Sequence, residues 1–114
     1  MAMKRGEIWW ADLPDSAASE PGFRRPLLIV QIDEFNRSCI RTIVVVILTT
    51  NLRLSKAPGN VLLKSSLTGL PKDSVANVSQ VLTVDKSFLT EKAGKVRKAE
   101  MQKIEAGLRL LMGL

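Results

Sequence analysis

Apolar and polar positions alternate in short blocks along most of the chain, and only the last block has a longer period. Residues 8–13 combine aromatic and β-branched types and predict a first strand. A polar loop follows over 14–22, with Pro, Ser, Asp and Glu and no periodicity. Residues 26–32 predict a second strand, with Pro26 at its start, where a missing N–H is tolerated. The block 42–49 is nearly all apolar. It predicts a strand covered on both faces, by core or by a partner. Residues 51–59 read as a second loop and 60–64 as a short strand. Gly69 and Pro71 mark a turn before an alternating strand over 75–82. Residues 85–90 suit one helical turn, and 93–96 a weak last strand. Met101, Ile104, Leu108 and Leu111 then recur at steps of three, four and three. They predict an amphipathic helix over 98–112 with Lys98, Gln102, Lys103 and Arg109 on its polar face. Short strands followed by one terminal helix predict a small antiparallel barrel closed by a helix.

A length of 114 residues fits one domain, 1–114, that can bury an ordinary core. Hydrophobic residues at 46% and charged residues at 25% are globular proportions. No apolar run approaches the roughly 18 residues of a membrane span. Lys4 and Arg5 precede no long apolar stretch, so no signal peptide is expected and a cytoplasmic protein is the simplest reading. The chain has no His and one Cys, Cys39. Intrachain disulfides, Cys/His zinc sites and His-based catalytic dyads or triads are therefore excluded. The acidic residues are scattered, so neither a metal site nor a cofactor is expected. Cys39 reads as a bystander in a polar loop.

The net charge of +6 favours polyanionic partners, either nucleic acid or an acidic protein segment. The excess lies towards the C-terminus, where a solvated basic helix accounts for it as well as a phosphate-tracking surface does.

Three places can carry chemistry. In Glu20-Pro21-Gly22-Phe23-Arg24-Arg25-Pro26, Pro26 biases Arg25 towards extended backbone at the mouth of a buried strand. A guanidinium held there can grip a phosphate in two-pronged fashion, with Glu20 to orient it. A surface Arg–Glu pair of little energetic worth accounts for the same residues. In Leu48-Thr49-Thr50-Asn51, hydroxyl and amide groups follow the most apolar strand and can bond a phosphate, although such residues also suit ordinary strand ends. In Asn77-Val78-Ser79-Gln80-Val81, strict alternation puts Gln80 on a face with Val78 and Leu82, where its amide needs a partner. Trp9 and Trp10 point to opposite faces of their strand, one into the core and the other to an interface or a stacked base.

Taken together, Met3-Lys4-Arg5-Gly6-Glu7-Ile8-Trp9-Trp10-Ala11-Asp12-Leu13 and Glu20 to Gln31 resemble the opening of the MazF/PemK family of toxin endoribonucleases. Leu48-Thr49-Thr50-Asn51, Asp73-Ser74-Val75, Ser79-Gln80-Val81 and Thr83-Val84-Asp85-Lys86 continue the resemblance in order. It implies an SH3-like barrel with a C-terminal helix, acting as a homodimer. It implies metal-independent, sequence-selective cleavage of single-stranded RNA, leaving a 2′,3′-cyclic phosphate and a 5′-hydroxyl. It implies inhibition by an antitoxin with an acidic, partly disordered segment. Carried over by position, Arg25 and Thr49 are the expected catalytic residues and Glu20 a supporting carboxylate. Arg24, Thr50, Asn51, Arg53, Lys56 and Gln80 are expected to bind RNA, and the loops 14–21 and 53–59 to help select its sequence. The alternative on the same scaffold is a non-catalytic toxin that binds DNA gyrase, as CcdB does. The ending Leu111-Met112-Gly113-Leu114 lacks the terminal Trp-Gly-Ile of those proteins.

Overall fold

The computed structural model describes residues 2–14 and 24–114. Its strands are β1 (Glu7–Asp12), β2 (Arg24–Ile29), β3 (Thr42–Thr49), β4 (Val61–Leu63), β5 (Ser74–Asp85) and β6 (Leu89–Lys95). Its helices are α1 (Asp33–Asn36), α2 (Ser65–Thr68) and α3 (Lys98–Met112), and 3₁₀ turns cover Leu52–Lys56 and Lys86–Phe88. One antiparallel sheet runs β4-β5-β3-β2-β1-β6. The predicted strands are all present. The single-turn helices α1 and α2 lie outside the pattern, because four residues are too few to show a helical period.

Both faces of the central strands are buried, as the apolar run of β3 required. Ile8, Leu28, Val46 and Leu48 face α3, where Met101 and Ile104 meet them. Trp9, Leu27, Ile29, Val45 and Ile47 fill the opposite face, together with Val84 and Leu89. The sheet curls because β5 is bulged. Val46 pairs with Val81, but the next residue, Ile47, pairs with Asn77. Three residues of β5 therefore have no opposite number on β3, and the strand turns a corner there. The curl brings α2 against β6. A Cβ on Gly94 would fall 1.7 Å from the Thr68 carbonyl oxygen, so only glycine permits this approach.

The helix α3 has the predicted bounds but a shifted contact face. Met101, Ile104 and Gly107 are buried and Leu108 half-buried, whereas Leu111 is exposed. Residues 109–114 are all exposed among the described residues, so the apolar period continues past the buried contact. Gly107 takes a place at the crossing because α3 rides directly on the backbone of Gly59. No helix among the described residues is long and apolar enough to cross a membrane.

Candidate active site

The β2–β3 register pairs Leu27 with Ile47. Continued two residues outward, that register would set Arg25 opposite Thr49, on the face that carries Leu27 and Ile47. The structure shows the consequence: Arg25 Nη2 donates to the Leu48 carbonyl at 3.2 Å. The guanidinium thus lies against the C-terminal end of β3. Arg25 is only half-exposed, and burial pulls its pKa below the ordinary arginine value. An arginine starts so high that it stays a cation at neutral pH. What partial burial changes is its field, which acts through less water and so more strongly on a bound anion.

Thr49 is half-buried at the strand end. Its Oγ1 accepts from the Asn51 N–H at 3.2 Å, which leaves its hydroxyl hydrogen to be donated. The Asn51 side chain in turn accepts from the Arg53 N–H at 3.3 Å and caps the 3₁₀ turn. Asn51 therefore shapes the segment that follows Thr49. Thr50, Arg53 and Lys56 are exposed on that segment.

The strands also carry a polar cluster beside this pair. Thr49 is opposite Val75, and Ile47 is opposite Asn77, so Asn77 shares the face of Ile47. Asn60 donates to Asn77 Oδ1 at 3.0 Å and to the Leu54 carbonyl at 2.9 Å, and accepts from the Val78 N–H at 2.9 Å. Asn77 donates to Gln80 Oε1 at 2.8 Å, and the Ser79 hydroxyl donates to Asn77 Oδ1 at 3.0 Å. These bonds hold the β5 bulge and tie it to the 3₁₀ turn at Leu54.

The bulge corrects the sequence reading of Gln80. Strict alternation put it among apolar side chains. Instead Ser79 and Gln80 are exposed, while Val78 is in the core. Three unpaired residues break the period of two, and Gln80 is held by Asn77. Asn60 and Asn77 are the residues the sequence reading passed over. Their signal was an amide just before a short strand and another inside an apolar one, where each needed a partner.

Arg24 does not join Arg25. Successive strand residues face opposite ways, and Arg24 lies over the Trp10 ring, 4.9 Å from its centre, with a 2.6 Å ion pair to Glu91. Glu20, Phe23 and the loop residues 15–21 lie outside the described residues. A groove of about 620 Å³ between β4 and α3 is lined by neither Arg25 nor Thr49. Among the described residues, no group of three or more Cys, Asp and Glu side chains is gathered as a metal site would require.

The architecture is a curled antiparallel half-barrel sheet that carries a half-buried cation and a hydroxyl group at one end. The profile of the family described as PemK-like, MazF-like toxin of type II toxin–antitoxin system matches residues 4–112, and the chain belongs to that family. Endoribonuclease MazF6 of Mycobacterium tuberculosis (strain H37Rv) is 40% identical over 114 residues, covering 100% of both chains. Endoribonuclease EndoA of Bacillus subtilis (strain 168) is 33% identical, covering 100% of this chain and 97% of EndoA. A solved endoribonuclease in complex with its cognate antitoxin, from a mycobacterial species, superposes with a TM-score of 0.80. It is 30% identical and covers 99% of this chain and 97% of that one.

Proposed function

We propose that this chain is the toxin of a type II toxin–antitoxin pair and cleaves single-stranded RNA in the cytoplasm without a metal ion. The observation that carries the reading is the 3.2 Å bond from Arg25 to the Leu48 carbonyl, which holds a half-buried cation at the end of β3, where Thr49 is the last residue. RNA brings its own nucleophile. The 2′-oxygen bonds to phosphorus as its proton passes to a water molecule, and the P–O5′ bond breaks as O5′ gains a proton from Arg25, which is reprotonated from solvent. The products are a 2′,3′-cyclic phosphate and a 5′-hydroxyl. The protein must align the attack and stabilise charge on the phosphoryl oxygens. Arg25 supplies that charge and delivers a proton to O5′ late, being too weak a base to take one early. Thr49 donates a hydrogen bond to a phosphoryl oxygen. Glu20 orients Arg25. Thr50, Asn51, Arg53, Lys56 and Gln80 line the path of the flanking nucleotides, and Arg24 acts only through Trp10.

The chain works as a homodimer. Leu110, Leu111, Met112 and Leu114, at and just beyond the end of α3, are 48–83% exposed and form an apolar tip that a second copy covers. The net charge of +6 suits an antitoxin with an acidic, partly disordered segment. The gyrase-binding alternative is not favoured, since the curated relatives are named endoribonucleases.

The test is incubation of the purified protein with a long single-stranded RNA in EDTA, with both new ends mapped and Arg25→Ala beside it. Cuts at a recurring short motif, reduced about 10²-fold or more in the variant, are expected. A folded protein that leaves several RNAs intact would refute the activity. Undiminished cutting by folded Arg25→Ala would refute the role of that residue.

A further inference from the structure

On the reverse side of the same sheet end lies a slot of about 180 Å³ whose walls are Trp10, Pro26, Leu70 and Pro71, with Thr50 and Lys72 beside them. Pro26 directly follows Arg25, and Thr50 directly follows Thr49. The slot is therefore one residue step from the proposed phosphate position on two separate strands. Its walls are almost wholly apolar, and one is an indole ring. Trp10 is only half-buried, although its neighbour Trp9 is 3% exposed. Arg24 is not among the lining residues, so its guanidinium and the slot take different parts of the ring. The Arg24–Glu91 pair at 2.6 Å then serves to hold the ring in place.

We propose that this slot receives one unpaired base of the bound RNA, from a nucleotide adjoining the cleaved phosphate, and that Trp10 is a residue that binds it. The inference rests on the RNA-cleaving function proposed above. An apolar slot with an indole in its wall suits a base face, and stacking on an aromatic ring accepts any base while a polar rim discriminates between them. Thr50 can donate to or accept from a base edge, and the Lys72 ammonium is placed for the next phosphate. The strand would cross the sheet end with its phosphate on the Arg25 side and this base folded over to the Trp10 side.

The experiment uses a short oligonucleotide carrying a mapped cleavage motif. A 2′-deoxy sugar at the cut removes the nucleophile, so that it binds uncut. Abasic replacements are made at each position around the cut. Binding is measured for the wild type, for Trp10→Phe and, because Trp10 also touches the core, for the surface variant Pro71→Ser. In the wild type, one abasic position next to the cut should weaken binding roughly five- to hundredfold. That penalty should shrink in both variants, while penalties at other positions stay the same. The wild type should also lose tryptophan fluorescence on binding, and Trp10→Phe, left with buried Trp9, should not. Equal abasic penalties in all three proteins, with no quenching, would overturn the proposal and leave the slot to an apolar side chain of a protein partner. If the wild type binds and cuts RNA in that case, only the slot proposal falls. If it does neither, the RNA reading falls with it.

Discussion

The crossing of α3 over Gly59 makes a quantitative prediction for Gly107→Ala. A Cβ at Gly107 would lie 2.1 Å from the Gly59 carbonyl oxygen, 2.9 Å from its carbon and 3.1 Å from its Cα. Ordinary contacts begin near 3.4 Å, so the helix must retreat by more than 1 Å. No flexible side chain absorbs the shift, because every close atom is backbone. Gly59 itself sits at φ +83°, so it too is committed to its conformation. Retreat loosens Ile104 and Met101 on the sheet. Overpacking of this kind costs typically 1–3 kcal/mol, and a rigid backbone obstacle places it near the top, about 3 kcal/mol. Alanine returns about 1 kcal/mol through better helix propensity. The net loss is about 2 kcal/mol, a fall in Tm of roughly 6–12 °C for a domain of this size. Calorimetry or urea unfolding reads it directly, with Ala106→Gly on the exposed neighbouring position as the control, where only the propensity cost of about 1 kcal/mol applies. A Gly107→Ala protein as stable as the wild type would mean that the helix does not touch Gly59, and the packing argument would fail.

Other outcomes follow from the same geometry. Thr49→Val keeps the shape and removes the hydroxyl, so single-turnover cleavage should fall about 10²-fold with binding little changed; an unchanged rate would remove Thr49 from the chemistry. Asn60→Ala deletes two donated bonds and one accepted bond, with an expected loss of about 2–3 kcal/mol. Amide exchange at Val78 should accelerate beyond that of the rest of β5, and uniform acceleration would mean that Asn60 does not hold the bulge. For Glu7, burial pushes the carboxyl pKa up, but Trp9 Nε1, the Lys4 N–H and Lys92 together bring it below the ordinary value of 4.5. A lowered native pKa stabilises the fold at pH above 4.5, and that contribution is lost as pH falls through the native value. Glu7→Gln should therefore lower Tm at neutral pH and flatten its decline in acid; a parallel decline would show that Glu7 is not the group responsible.

Much of this molecule was legible in the order of its residues. The period of two, the all-apolar β3 and the three-four-three spacing of α3 gave the elements, because burial on one or both faces writes a period directly into the chain. The absence of His and the single Cys closed off whole classes of chemistry. Arg25 and Thr49 were visible as polar residues at the ends of buried strands. Their meeting was not, since it depends on the pairing of β2 with β3, and register is a property of two segments that neither contains alone. The bulge in β5 was hidden for the same reason. A local period cannot announce three residues without partners, so Gln80 was put on the wrong side and the Asn60–Asn77 cluster went unseen. Leu111 shows the converse. Its spacing marked it for the core, but only the tertiary packing, which covers α3 no further than Leu108, decided that the last turn would stay exposed.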